Sequence, residues 1–151
     1  MDSAIILKSL GEAGAYASVG FAAMGSAIGT GLAGCSAVGA WKKCYAQNKP
    51  APFLLLVYAG APFTQTIYGM ILLFFIKAAV ASTPERWPLY LVVGITGGIA
   101  MGCSAWFQGK AAAGACDSFA ETGKGFVNNI IVVGIIETVA IFTMIFAKLI
   151  L

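Results

Sequence analysis

Four long apolar runs separated by short polar breaks set the pattern of this chain. Ala13–Trp41, Ala51–Ile76 and Trp87–Gly109 contain no charged residue, and Gly125–Ala147 contains one, Glu137. Each run exceeds the roughly 20 residues that an α-helix needs to cross a bilayer. The breaks carry turn signals: Asn48-Lys49-Pro50-Ala51-Pro52, then Ser82-Thr83-Pro84 with Pro88, then Thr122-Gly123-Lys124-Gly125. The pattern predicts an all-α membrane protein, with four transmembrane helices arranged as two tandem hairpins. Residues 1–151 read as a single membrane domain, the first hairpin at about 11–80 and the second at about 86–151. A transmembrane β-barrel would need short alternating segments, and the sequence has none.

The hairpins read as a duplicated unit. Gly31 to Ser36 lies over Gly109 to Gly114, and Gln65-Thr66 lies over Glu137-Thr138. One half therefore has an acid where the other has an amide. The first and third runs are rich in glycine, and Gly25/Gly29 and Gly98/Gly102 have the spacing that lets membrane helices approach closely. The second and fourth runs are bulkier, as in Leu54–Val57, Ile71–Ile76 and Ile141–Phe146. Helices one and three are expected to pack tightly against each other or against copies, with two and four facing outward, partly to lipid. Glycine content by itself fits a compact four-helix transporter as well as a ring.

Composition agrees with the pattern. The chain is 60% hydrophobic and 10% charged, against about 25% charged for an ordinary soluble domain. The net charge of +3 is scattered, apart from Lys42, Lys43 and Lys49, and does not suggest a nucleic-acid partner. With Lys124, that cluster predicts cytoplasmic loops between helices one and two and between three and four, with both termini outside. The N-terminus has Asp2 and Glu12 and no basic leader, so it does not read as a signal peptide. Cys35, Cys44, Cys103 and Cys116 form no CxxC pair, and there is no histidine, so no transition-metal site is expected. No GxxxxGK[ST] loop is present, so nucleotide chemistry is expected on other subunits and not on this chain.

Glu137 is the residue that asks for a function. An acid in the middle of a membrane span costs about 2.5–3.5 kcal/mol on insertion scales, and such residues usually serve ion or proton pathways. Other deep polar side chains are Thr64, Gln65 and Tyr68 on helix two, Gln108 on helix three and Thr138 on helix four. Gln65, Gln108 and Glu137 each lie twelve or thirteen residues from a cytoplasmic turn, which places all three roughly 18–20 Å deep at 1.5 Å per residue. Lys110 falls on the side of helix three opposite Gln108, facing a lumen or reaching toward the cytoplasm. A hard cation wants oxygen ligands, one of them anionic, and a carboxylate with Na⁺ is neutral. A proton would neutralise the acid equally, and these residues leave both carriers open.

Pro62-x-Thr64-Gln65-x-x-Tyr68-Gly69, Gln108-Gly109-Lys110 and Glu137-Thr138, on a four-helix double hairpin with Gly-rich helices one and three, resemble the proteolipid, subunit K or c, of V/A-type rotary ATPases. The resemblance covers essentially the full chain. It implies a homo-oligomeric rotor ring of identical copies in the lipid bilayer of a prokaryotic cell membrane, with helices one and three inside. It also implies a stator a/I-type subunit and central-stalk subunits as partners. In the sodium-type branch it implies Na⁺ held by Glu137, Gln65, Gln108, the Thr64 hydroxyl and the Ala61 carbonyl. Tyr68 and Thr138 would support the acid, with H⁺ as the alternative ion. Phe63 and Thr66 depart from the small residues that usually flank the Thr-Gln pair, and Phe63 either crowds the site or packs outward. The rival readings are a proton-coupled small multidrug or cation exchanger, which would want aromatics around the acid, and a purely structural four-helix membrane protein.

Overall fold

The computed structural model describes residues 3–151; Asp2, cited above for the N-terminus, lies outside them. The described residues are helical throughout apart from short turns. Helix α1 runs Ser3–Ala46, α2 Leu55–Gly60, α3 Thr64–Ser82, α4 Trp87–Thr122 and α5 Phe126–Ile150. Helices α2 and α3 form one span, Leu55–Ser82, so four spans are long and apolar enough to cross a membrane. The chain is a multi-pass membrane protein.

The turn chemistry anticipated from the sequence ends each helix. Gly123 takes a left-handed φ of 65°, and its N–H closes the last turn of α4 on the Phe119 carbonyl at 2.8 Å. Gly125 follows at φ 79° and leads directly into α5. Asn48 supplies the positive φ after α1, where the small polar side chain of Asn tolerates it. At the other end, Tyr90 bonds back to the Thr83 and Ala79 carbonyls, and Arg86 donates to the carbonyls of Ile150 and Leu151.

Pro62 acts differently from the simplest expectation. A proline removes one helical N–H and would leave the Tyr58 carbonyl unpaired. Instead the chain tightens into a 3₁₀ turn over Ala61–Phe63. The Ala61 N–H then bonds the Tyr58 carbonyl, and the Thr64 N–H bonds the Ala61 carbonyl. The second span is thereby bent out of regular α geometry one turn before Gln65.

Helices α1 and α4 run parallel in close contact. Gly14 meets Gly94, Gly25 meets Gly102, and Gly29 meets Gly109, in rising order along both helices. A methyl on Gly25 or Gly109 would land on the backbone of the opposite helix. The Ser36 hydroxyl donates to the Ala113 carbonyl across the same seam at 2.8 Å. Gly31 and Gly34 face open space instead, on the side of α1 turned away from α4.

Two apolar clusters fill the bundle. One gathers Ala15, Leu72, Ile76, Tyr90, Met101 and Ala140, and the other Ala37, Leu55, Tyr58, Ala112, Cys116 and Val133. Helix α5 touches the rest through a narrow seam, with Val133, Ala140 and Ala147 as its buried residues at seven-residue spacing. Its other faces expose Ile131, Ile135, Val139, Phe142 and Phe146. This matches the bulky, outward fourth helix read from the sequence. Between the two clusters lies a polar layer.

Candidate functional site

Three spans contribute to that layer. Gln65 on α3 and Gln108 on α4 are fully buried, and Glu137 on α5 is half-buried. Burying two amides this deep is tolerable only if their donors and acceptors are paired. Gln65 Nε2 donates to Gln108 Oε1 at 2.7 Å. Gln108 Nε2 donates to Glu137 Oε2 at 3.2 Å and to the Val133 carbonyl at 3.0 Å. The Tyr68 hydroxyl donates to the other carboxylate oxygen, Glu137 Oε1, at 2.7 Å. The common depth estimated by counting residues from the turns is therefore matched by direct contact.

A cluster of oxygens sits at the Gln65 end. The Thr64 hydroxyl lies 3.0 Å from the Ala61 carbonyl and 3.3 Å from Gln65 Oε1. The Ala61 carbonyl belongs to the 3₁₀ turn at Pro62, three residues before Thr64 on the same span. The sequence-predicted residues Ala61, Thr64, Gln65, Tyr68, Gln108 and Glu137 thus form one connected chain of polar contacts.

Thr138 does not join it in this arrangement. Its hydroxyl returns to the Ile135 carbonyl of its own helix at 2.7 Å, and the residue is exposed. At 100° per residue, the position after Glu137 points well away from the inward face. Phe63 is also turned outward, 55% exposed, so it does not crowd the layer.

Ser104 is part of the layer and was missed in the sequence. Its hydroxyl donates to the Ile136 carbonyl at 2.8 Å and accepts from Gln65 Nε2 at 3.4 Å. The available signal was its position four residues before Gln108, on the same helix face. In a run of Gly, Ala and Cys it reads as one more small packing residue.

The charge of the carboxylate is not met by a basic side chain. The ion pair among the described residues is Lys43–Glu121 at 3.3 Å, at the exposed end of α1 and α4. Lys110 points away from Gln108, with its Nζ 4.9 Å from the Trp106 ring centre and 5.3 Å from that of Phe107. Glu137 therefore has a hydrogen-bond donor on each carboxylate oxygen and no ion pair with a basic side chain among the described residues. Among the described residues no group of three His, Cys, Asp or Glu side chains is placed to hold a metal.

The chain is thus a four-span apolar bundle with a single acid in a layer of amides and hydroxyls. Residues 91–150 match the family of ATP synthase C subunits. Over 143 residues the chain is 33% identical to the A-type ATP synthase subunit K of Methanocaldococcus jannaschii, an alignment covering 94% of this chain and 61% of the relative. The chain thus spans about three fifths of the length of that relative. It is similar to ATP synthase C subunits over its second hairpin and to a subunit K over most of its own length.

Proposed function

We propose that this chain is an ion-carrying rotor-ring subunit in the membrane sector of an A/V-type ATPase or ATP synthase, with Glu137 as the carrier. The observation behind the reading is the carboxylate itself. It lies between the two apolar clusters, held by Tyr68 and Gln108, with no basic partner among the described residues. A bare negative charge at that depth is expensive, and a bound cation or a proton removes it.

Na⁺ is the preferred ion. Glu137, Gln65, Gln108, the Thr64 hydroxyl and the Ala61 carbonyl supply five oxygen-bearing groups, one of them anionic. That is more than a proton needs and is the donor chemistry a hard cation prefers. In the arrangement described, Gln108 offers its N–H and not its oxygen to Glu137. Loading a cation therefore requires this amide to turn, exchanging a hydrogen bond for a ligand. H⁺ is the alternative, and the present network already satisfies the acid without a cation.

The remaining parts of the reading follow from the resemblance to these subunits. Identical copies would form the ring, with α1 and α4 inside. A stator subunit would load and unload Glu137, and stalk subunits would couple rotation to nucleotide chemistry elsewhere. The loops at 47–54 and 123–125 would face the cytoplasm of a prokaryotic cell, with the termini outside. An exchanger of hydrophobic cations is disfavoured because Trp106 and Phe107 stack on each other beside Lys110, away from the acid.

The test is labelling of Glu137 by dicyclohexylcarbodiimide in membranes containing the whole complex. Na⁺ should protect at neutral pH, and Glu137→Gln should abolish both labelling and transport while copies still assemble. Protection by acid but never by Na⁺ would move the reading to protons. Retained ion transport in Glu137→Gln would remove Glu137 as the carrier.

A further inference from the structure

We propose that Ser104 is a positioning residue for the ion site: it fixes which end of the Gln65 amide faces the oxygens of Thr64 and Ala61. The inference rests on the ion-carrier reading above. It starts from two backbone carbonyls of α5, those of Val133 and Ile136. A carbonyl accepts hydrogen bonds and never donates, so whatever meets it must offer a proton.

The Ile136 carbonyl takes the single proton of the Ser104 hydroxyl at 2.8 Å. Only lone pairs of Ser104 Oγ then remain for Gln65, so the end of Gln65 that approaches it must be the NH₂. The Val133 carbonyl takes a proton from Gln108 Nε2 at 3.0 Å. That turns Gln108 Oε1 toward Gln65, which again must answer with its NH₂, at 2.7 Å. Both constraints leave Gln65 Oε1 pointing to the Thr64 hydroxyl.

An ion bound at the Thr64 and Ala61 oxygens needs that orientation. When the Gln108 amide turns to offer its own oxygen to a cation, the Val133 carbonyl loses its donor and the Gln108 NH₂ swings toward the Gln65 NH₂. The contact between the two amides then no longer favours this orientation of Gln65. Ser104 is then the group still holding the Gln65 NH₂. Without its hydroxyl, Gln65 is free to rotate its NH₂ toward the cation, where a donor repels.

The duplicated half supplies the control. The repeat offset that lays Gly31 on Gly109 lays Ser26 on Ser104. Ser26 is 3% exposed, and its Oγ has no hydrogen-bond partner among the described residues. Ser26→Ala therefore removes a hydroxyl and no hydrogen bond, whereas Ser104→Ala removes the contacts with Ile136 and Gln65.

The experiment measures the Na⁺ concentration that half-protects Glu137 from dicyclohexylcarbodiimide, in membranes carrying the complex. Ser104→Ala should raise it roughly ten-fold, the scale of one lost hydrogen bond, while labelling without Na⁺ stays at the wild-type level. Ser104→Thr, which keeps the hydroxyl, should stay close to wild type, and Ser26→Ala should not shift it. An unchanged half-protecting concentration in Ser104→Ala overturns the proposal, as does an equal shift in Ser26→Ala. Wild-type protein that Na⁺ never protects overturns the Na⁺ reading and this inference together.

Discussion

The Tyr68 hydroxyl donates to Glu137 Oε1 across 2.7 Å and ties the second span to the fourth at the polar layer. Helix α5 also meets the bundle through its buried Val133, Ala140 and Ala147 and through Gln108 and Ser104 in the same layer, but it is Tyr68 that donates to Oε1. This hydrogen bond therefore bears on where the carboxylate points as well as on its charge. A hydrogen bond to a charged group contributes about 1.5–3 kcal/mol. Tyr68→Phe should free the carboxylate, speed its reaction with dicyclohexylcarbodiimide, and weaken Na⁺ protection by roughly 10- to 100-fold. Labelling kinetics at several Na⁺ concentrations check this, and unchanged rates would refute the latch.

The parallel seam of α1 and α4 predicts opposite outcomes for two glycines. Gly109→Ala drives a methyl onto the Gly29 backbone, and overpacking of this kind costs about 1–3 kcal/mol, more when neither side can move. Gly31→Ala meets nothing within 4 Å and should stabilise the helix by up to about 1 kcal/mol. Thermal unfolding of the detergent-solubilised chain should fall for the first and hold or rise for the second.

Thr138 and Phe63 lie beside site residues in sequence but face outward. Thr138→Val and Phe63→Ala should each change ion-site affinity by less than about 0.5 kcal/mol, the range of surface substitutions away from special features. The Na⁺ protection curve of Glu137 is the measurement. A large shift with Thr138→Val would return that hydroxyl to the site.

Arg86 closes the end of α5 opposite Gly125, donating to the Ile150 and Leu151 carbonyls at 3.4 and 3.3 Å. A cation at a helix C-terminus contributes about 0.3–1 kcal/mol. Arg86→Ala should fray the last turn of α5, seen as faster amide exchange confined to residues 147–151. The polar layer, about 20 Å away along the helix, should keep its protection.

Several elements were legible before any coordinates. The charge-free runs, the prolines and the Gly123/Gly125 pair marked the spans and turns, because the cost of placing charge in a bilayer and the φ of a turn residue are local to each segment. The level shared by Gln65, Gln108 and Glu137 followed from counting along straight helices. Ser104 escaped because a small hydroxyl in a glycine-rich run has no distinct signature. Thr138 follows Glu137 in sequence, yet its side chain is turned about 100° from the acid around the helix.

By itself, the sequence determined that four apolar helices exist and that a lone acid shares its depth with two amides. It did so because hydropathy and helical rise are properties of one chain segment at a time. Only the tertiary structure decided that Gln65, Tyr68, Gln108 and Glu137 meet in one network across three spans. It also decided which end of each glutamine faces which oxygen. Those directions are imposed by the Val133 and Ile136 carbonyls of a different helix, and a backbone carbonyl has the same chemistry whatever residue carries it.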